Sequence, residues 1–436
     1  MPKWTAVDEM SNYYNAYRPH GDKALSLLVR RPALIVTAVV GTILLLFWRQ
    51  SSAHVPVGAV AGVDRRVEFD GHWNFVRDRN NLLLNDAQCE AAFPKLFDEV
   101  GRAVSTRRLN HITSDELDAI DPKNGYVRAM IYDQELYIIQ KQGGIYSREL
   151  ATLHAIQRAI FSSPMPLPNI EFAFNTDDII FEAVPLWGYA RKAEHKHIWL
   201  MPDFGYWSWP ETKVGTMREV QMKAAAEENV HRYSWRNKVE KILWRGATMG
   251  LPLRDRLIEI TKGQPWADVV ALDWHNKESM QNDLKSMPEH CDYKYLAHTE
   301  GNSYSGRLKY LQACRSVIVA HKMDWLQHHH PLMSSAGPNQ NFVEIERDFS
   351  NLEQTITYLQ KNDAQAEQIA TNNVETFRER YLTPAAETCY WRRLIYGWAQ
   401  VSFEPEFYKA VNGTKEWRGL PFESFALERR LEWDPY

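Results

Sequence analysis

Between Asp292 and Val319 the apolar pattern changes period twice. Tyr293–His298 is short and rich in aromatic and apolar residues, which predicts a strand. Gly301-Asn302-Ser303-Tyr304-Ser305-Gly306 follows as a turn of small residues and glycines. Arg307–Cys314 then carries Leu308, Tyr310 and Leu311 at helical spacing, and Ser316–Ala320 resumes as a buried strand. The same alternation starts earlier. Ile242–Trp244 predicts a strand, Arg245-Gly246-Ala247 a loop running to Arg254, Leu257–Thr261 a helix and Ala267–Leu272 another strand. Strands alternating with helices over about 150 residues predict a parallel, doubly wound sheet. Two amphipathic helices, Leu352–Leu359 and Ala364–Tyr381, close this part.

Upstream, Asn85–Ser105 and His154–Phe161 have helical spacing, and Tyr126–Gln140 has the alternation of two strands. Pro168–Phe174 predicts a strand leading into Asn175-Thr176-Asp177-Asp178. Ile198–Met201 predicts another, followed by an aromatic loop from Pro202 to Glu211. A charged stretch, Arg218–Lys241, marks the boundary between two domains, 67–235 and 236–385. A helical segment, 386–436, crosses back to the first.

One stretch stands outside this pattern. Pro32–Trp48 has seventeen residues and no charge, the short end of a spanning helix. Arg30 and Arg31 precede it, and no convincing cleavage site accompanies it, which predicts a type II signal anchor rather than a signal peptide. On that reading residues 1–31 are a cytosolic tail, 32–48 the membrane span and 49–66 a stem, with the rest in the lumen of the ER or Golgi. The cysteines number four, Cys89, Cys291, Cys314 and Cys389, without CxxC or zinc spacing, so disulfides or buried thiols are the choices. Asn412-Gly413-Thr414 is a usable glycosylation sequon.

Composition narrows the function. Hydrophobic content of 44% and charged content of 24% belong to a globular protein. A formal net charge of -4 offers no basic footprint for nucleic acid. Sixteen Trp and twenty Tyr suit sugar rings, and suit plain cores equally. The glycine-bounded turn before Arg307 can bring backbone N–H groups to an anion, with the helix N-terminus and the guanidinium adding positive charge.

The ordered set Trp244-Arg245-Gly246, Arg254, Tyr293-Lys294-Tyr295-Leu296, Gly301 to Arg307, and Asn362-Asp363 to Ile369-Ala370 resembles glycosyltransferase family 90, the capsule-associated and protein O-glucosyltransferase-like enzymes. The resemblance implies an α/β fold of GT-B type, two Rossmann-like domains facing a cleft. It also implies an inverting enzyme that transfers glucose or xylose from a UDP-sugar to a glycan or glycoprotein. Membrane-anchored fungal members share this layout, which puts xylose first. The diphosphate contacts fall on Asn302, Ser303, Tyr304, Ser305, Gly306 and Arg307, with Arg254 and, secondarily, Arg245 and Ala247. Ala247 stands where the family often has serine, and Ser305 where some members place an aromatic residue before the glycine and arginine. Both departures bear on donor choice.

An inverting transferase needs a base for the acceptor hydroxyl, and Asp178 falls on the matching position, with Asp177 beside it as a group that could raise its pKa. Trp207 and Trp209 of the aromatic loop are expected on the acceptor side. The pairings expected by position and resemblance are Cys291 with Cys314 and Cys89 with Cys389. No Asp-x-Asp is present, so no metal or other cofactor is expected. His328-His329-His330 is expected at the surface or cleft rim, and Glu344 and Glu346 in solvent. A catalytically silent, glycan-binding or scaffold member is the alternative, for which Ala247 is the motivating feature.

Overall fold

The structure is a computed structural model that describes residues 69–180, 184–229 and 233–428, all within one compact unit, Val67–Tyr436. Two sheets organise it. The second, built from β6 (Val239–Gly246), β7 (Ala267–Ala271), β8 (Tyr293–His298), β9 (Val317–His321) and β10 (Val343–Ile345), has the order β10-β9-β8-β6-β7 with every pair parallel. Its residues alternate between two cores. Trp244, Tyr295, Val317 and Val319 pack on one face with Leu352, Ile356 and Ile369, while Leu243, Leu296 and Ile318 pack on the other with Cys291, Cys314 and Leu308. Burial on both faces is what a parallel sheet covered by helices requires. The strand order reverses its winding between β6 and β8, so the loops after these two strands diverge and leave a crevice.

The first sheet departs from the expected Rossmann-like domain. It joins β1 (Tyr126–Tyr132), β2 (Glu135–Gln142), β3 (Ile170–Asn175), β4 (Leu186–Gly188), β5 (Ile198–Leu200) and β13 (Leu420–Pro421) in the order β13-β2-β1-β3-β4-β5. Only β3–β4 and β4–β5 are parallel. β1 pairs antiparallel with both β2 and β3, and β13 antiparallel with β2. The physical cause lies at Asp133-Gln134, both at positive φ (48° and 67°). A two-residue link can only return a strand antiparallel, since a parallel neighbour needs a crossover of a dozen residues or so.

The helix Pro384–Ala399 belongs to this first sheet. Trp398 packs edge-on against Trp187 and Trp199, at 5.7 and 5.1 Å between ring centroids, and donates its indole N–H to the Glu171 carbonyl at 2.9 Å. Two disulfides are formed, Cys89–Cys389 and Cys291–Cys314. The hairpin of β11 (Tyr408–Val411) and β12 (Thr414–Trp417) turns at exposed Asn412 and Gly413, both at positive φ.

The membrane expectation is corrected. Among the described residues no helix is long and apolar enough to cross a membrane, and the expected span Pro32–Trp48 lies outside them, as do the tail and stem. Within the described residues the expected pair of Rossmann-like domains gives way to a mixed sheet followed by a parallel one, still of the α/β class. No helix among the described residues supports the expected ER or Golgi membrane location.

Candidate active site

The carboxyl end of β8 leads through buried Thr299 and Glu300 into Gly301, whose N–H donates to the Ser303 carbonyl at 2.9 Å and closes a tight turn. Glu300 braces this turn from below. Its carboxylate accepts the backbone N–H groups of Asp324 and Trp325 at 2.8 and 2.7 Å and a guanidinium N–H of Arg347 at 2.8 Å. Asn302 is exposed, whereas Ser303, Tyr304 and Ser305 are buried. The helix after Arg307 is only Leu308–Leu311, so its dipole adds little and the side-chain cations dominate.

Those cations are Arg254 and Arg307, which lie over the Trp244 ring at 5.9 and 5.3 Å from its centroid. Arg254 donates to the carbonyls of Glu300 at 3.0 Å and Ala247 at 2.8 Å, and Arg307 to the carbonyl of Arg245. Neither makes a carboxylate ion pair among the described residues. Burial pushes both pKa values down, and the neighbouring charge of Arg254 helps push Arg307 to about 9. Two enclosed guanidinium groups without a direct carboxylate partner, with Asp178 acting on Arg254 only at longer range, form a site for an anion. Glycine makes room for them. A Cβ on Gly246 would lie 2.6 Å from Nη2 of Arg307, and one on Gly301 would lie 3.0 Å from Nη2 of Arg254. Arg245 differs, because Asp268 meets its charge at 2.6 Å and its remaining N–H groups go to backbone carbonyls. Ala247 contributes its carbonyl to Arg254.

Asp178 reaches this site from the other sheet. Beyond β3, the Asn175 side chain accepts the Asp177 N–H at 2.6 Å and the Asp177 carboxylate accepts the Asp178 N–H at 2.8 Å. Exposed Asp177 thus shapes the turn. The group beside the Asp178 carboxylate is a cation: Arg148 pairs with it at 2.8 Å, and the carboxylate side chain is 42% exposed. Burial works against the Arg148 charge, but Asp178 outweighs it and the guanidinium pKa rises. The Ser303 hydroxyl donates to the Asp178 carbonyl, which stitches the end of β3 to the loop after β8. Arg148, missed in the sequence, is one of two arginines on an amphipathic helix (Tyr146–Phe161) and left no motif.

A cavity of about 400 Å³ opens at the carboxyl ends of β6 and β7, lined by Gly246, Arg307, Arg245, Trp209, Trp274 and His290. Trp209 packs on Gly306, where a Cβ would come within 3.2 Å of its ring. Trp274 comes from a turn and His290 from the short helix Met287–His290, neither with a motif, and both were also missed. The structure separates Trp207 from Trp209. Trp207 stacks on His154 (5.1 Å between centroids, 9° between planes) and lines a different groove with Arg158.

The histidine triplet is corrected as well. His328, His329 and His330 are all buried, with the Tyr206 hydroxyl 3.3 Å from Nε2 of His328 and the Phe377 ring against His329. No group of three His, Cys, Asp or Glu among the described residues is placed to hold a metal ion. Glu344 and Glu346 are exposed, and Glu346 pairs with Lys322 at 2.9 Å.

A family model described as glycosyl transferase family 90 matches residues 88–414. Human protein O-glucosyltransferase 1 is 25% identical over 252 residues, 52% of this chain and 62% of that protein. The mouse protein of that name is 24% identical over 278 residues, 56% of this chain and 67% of that one. O-glucosyltransferase rumi of Drosophila melanogaster is 24% identical over 269 residues, 56% and 64% respectively. The match to the human relative thus spans about 62% of that protein's length.

Proposed function

The chain belongs to glycosyl transferase family 90, and we propose that it transfers a sugar, with inversion, from a UDP-sugar to a hydroxyl of a protein or glycan acceptor. The observation that carries this reading is the Ser303–Asp178 contact, which brings the end of β3 to the loop after β8 and sets the Asp178 charge within reach of Arg254, itself beside Arg307 over the Trp244 ring. In this mechanism the Asp178 carboxylate takes the proton of the acceptor hydroxyl as the oxygen attacks the anomeric carbon from the side opposite the departing diphosphate. Arg148 holds that carboxylate in place. The leaving diphosphate gathers negative charge, and the two guanidinium groups, already enclosed and without a carboxylate, stabilise it as it forms. The cavity at the ends of β6 and β7 has the size and the mixed aromatic and polar lining of a small-ligand site.

The relatives' names favour glucose over xylose as donor, and a protein over a free glycan as acceptor. We read the transfer as independent of metal, because the nearby buried carboxylates are engaged: Asp203 by Lys309 at 2.7 Å and Glu300 by Arg347 at 2.8 Å. Turnover of UDP-glucose, UDP-xylose, UDP-galactose and UDP-glucuronate by the purified protein, with and without excess EDTA, tests the reading. Turnover of one donor that persists in EDTA is expected. Absence of turnover with all four would favour a silent glycan-binding member, and loss of activity that manganese restores would return a metal to the site.

A further inference from the structure

The groove that takes Trp207 is a site in its own right. It measures about 350 Å³, within the range of small-ligand clefts, and is lined by Trp207, Arg158, Glu387, Gln221, Arg218 and Asn80 among others. It does not connect through the donor cavity. The helix Met217–Asn229 stands between them, presenting Glu219, Val220 and Lys223 to the donor cavity and Met217, Arg218 and Gln221 to the groove. At about 100° per residue these sets lie on opposite sides of the helix.

We propose that this groove binds a neutral oligosaccharide, with the Trp207 ring as its platform. His154 stacks nearly parallel on the ring, the Arg158 guanidinium lies over it at 5.3 Å from its centroid, and Trp207 is among the residues that line the groove. The C–H face of a pyranose packs on such a ring. Around it stand groups suited to neighbouring hydroxyls. Arg158 pairs with Glu387 at 2.6 Å, so the floor carries both donors and acceptors with its charges matched. Gln221 donates to the Leu382 carbonyl at 2.9 Å, which fixes the side chain. A purely apolar ligand would strip water from these groups and offer no hydrogen bond in return. A hydroxyl-bearing ring satisfies them and covers the indole together. The site binds without reacting, and its existence does not depend on the transfer chemistry.

The test is a ligand-observed NMR titration of the whole protein with xylotriose, cellotriose and mannotriose, each with and without saturating UDP. Saturable binding of at least one of these is expected, unchanged by UDP. Trp207→Ala should weaken it roughly tenfold or more, Trp207→Phe should restore most of it, and Trp417→Ala, on the exposed hairpin, should leave it intact. If Trp207→Ala does not melt cooperatively, Gln221→Ala, with an expected weakening of severalfold, takes its place. No saturable binding of any of the three sugars would overturn the proposal. So would displacement by UDP, or affinity untouched by the Trp207 and Gln221 substitutions.

Discussion

Arg245 and Arg307 touch through one hydrogen bond and have opposite fates. Asp268 neutralises the first, which braces the ends of β6 and β7. The second remains an enclosed cation facing the cavity. Arg307→Ala should therefore raise the donor KM and lower kcat, by roughly ten- to a thousandfold in kcat/KM, since it removes stabilisation of a partly desolvated diphosphate. Steady-state kinetics against donor concentration check this, and unchanged values would reduce Gly301 to Arg307 to a turn. Asp178→Asn is nearly isosteric and cannot take the proton. Transfer should fall by roughly two to four powers of ten while calorimetric UDP affinity is retained. Normal transfer by that variant would move the base elsewhere. At this scale the sequence was legible where a motif existed. The glycine turn and Arg254 are adjacent to β8 and β6 in the chain, so short-range spacing carried them. Arg148 comes from a helix between β2 and β3 and meets Asp178 only after folding. No local pattern encodes that meeting.

The loops that carry Phe204 to Glu211 and Gly301 to Leu311 interlock. Lys309 is fully buried, with Nζ 2.7 Å from Asp203 and 2.7 Å from the Gly306 carbonyl, and the Tyr310 hydroxyl donates to the Gly205 carbonyl at 2.6 Å. Gly205 admits this contact, because a Cβ there would lie 2.6 Å from Lys309 Nζ. Asp203 thus holds the anion loop at its far end, two residues past Arg307. Asp203→Asn should leave a buried ammonium without its counter-charge and destabilise the protein by about 3–5 kcal/mol. Chemical denaturation reads this as a lower midpoint at unchanged slope, and a loss under about 1 kcal/mol would mean that water reaches Lys309. Element type was readable from periodicity in the parallel sheet, whose strands and helices alternate. Most strands of the mixed sheet were readable as well, but their pairing was not, because the two-residue link at Asp133-Gln134 and the late arrival of β13 decide it. Neither is a hydrophobic period.

The molecule buries an unusual set of histidines. Burial, reinforced by neighbouring positive charge, holds His328 at about 3, and burial holds His290 and His330 at about 4, while His298 and His329 fall well below their ordinary value. All are neutral in the fold and take protons on unfolding below the ordinary histidine value of 6.5. Their lowered pKa values stabilise the fold above that value, and the contribution is lost as pH falls toward 4. By pH 5 each protonation difference amounts to on the order of 2 kcal/mol. A few together rival the whole stability of a domain, about 5–15 kcal/mol. Thermal unfolding should be flat above pH 7 and fall steeply below 6.5, with a shallower slope in His328→Phe. A midpoint unchanged between pH 7 and 5 would contradict neutral burial. In the sequence the triplet looked like a rim because three polar residues in a row are usually solvated; tertiary packing against Tyr206, Tyr390 and Phe377 overrode that expectation. A different consequence follows from the helix Pro384–Ala399, which completes the first core, whereas the parallel sheet is made from one uninterrupted stretch. A ribosome adds about 5–20 residues per second, so Cys89 waits roughly 15–60 s for Cys389, 300 residues later. During that wait Cys291 and Cys314 emerge only 23 residues apart, both within the stretch that builds the parallel sheet. The shorter loop costs less entropy to close, which favours Cys291–Cys314 forming first and Cys89 keeping Cys389 as its partner.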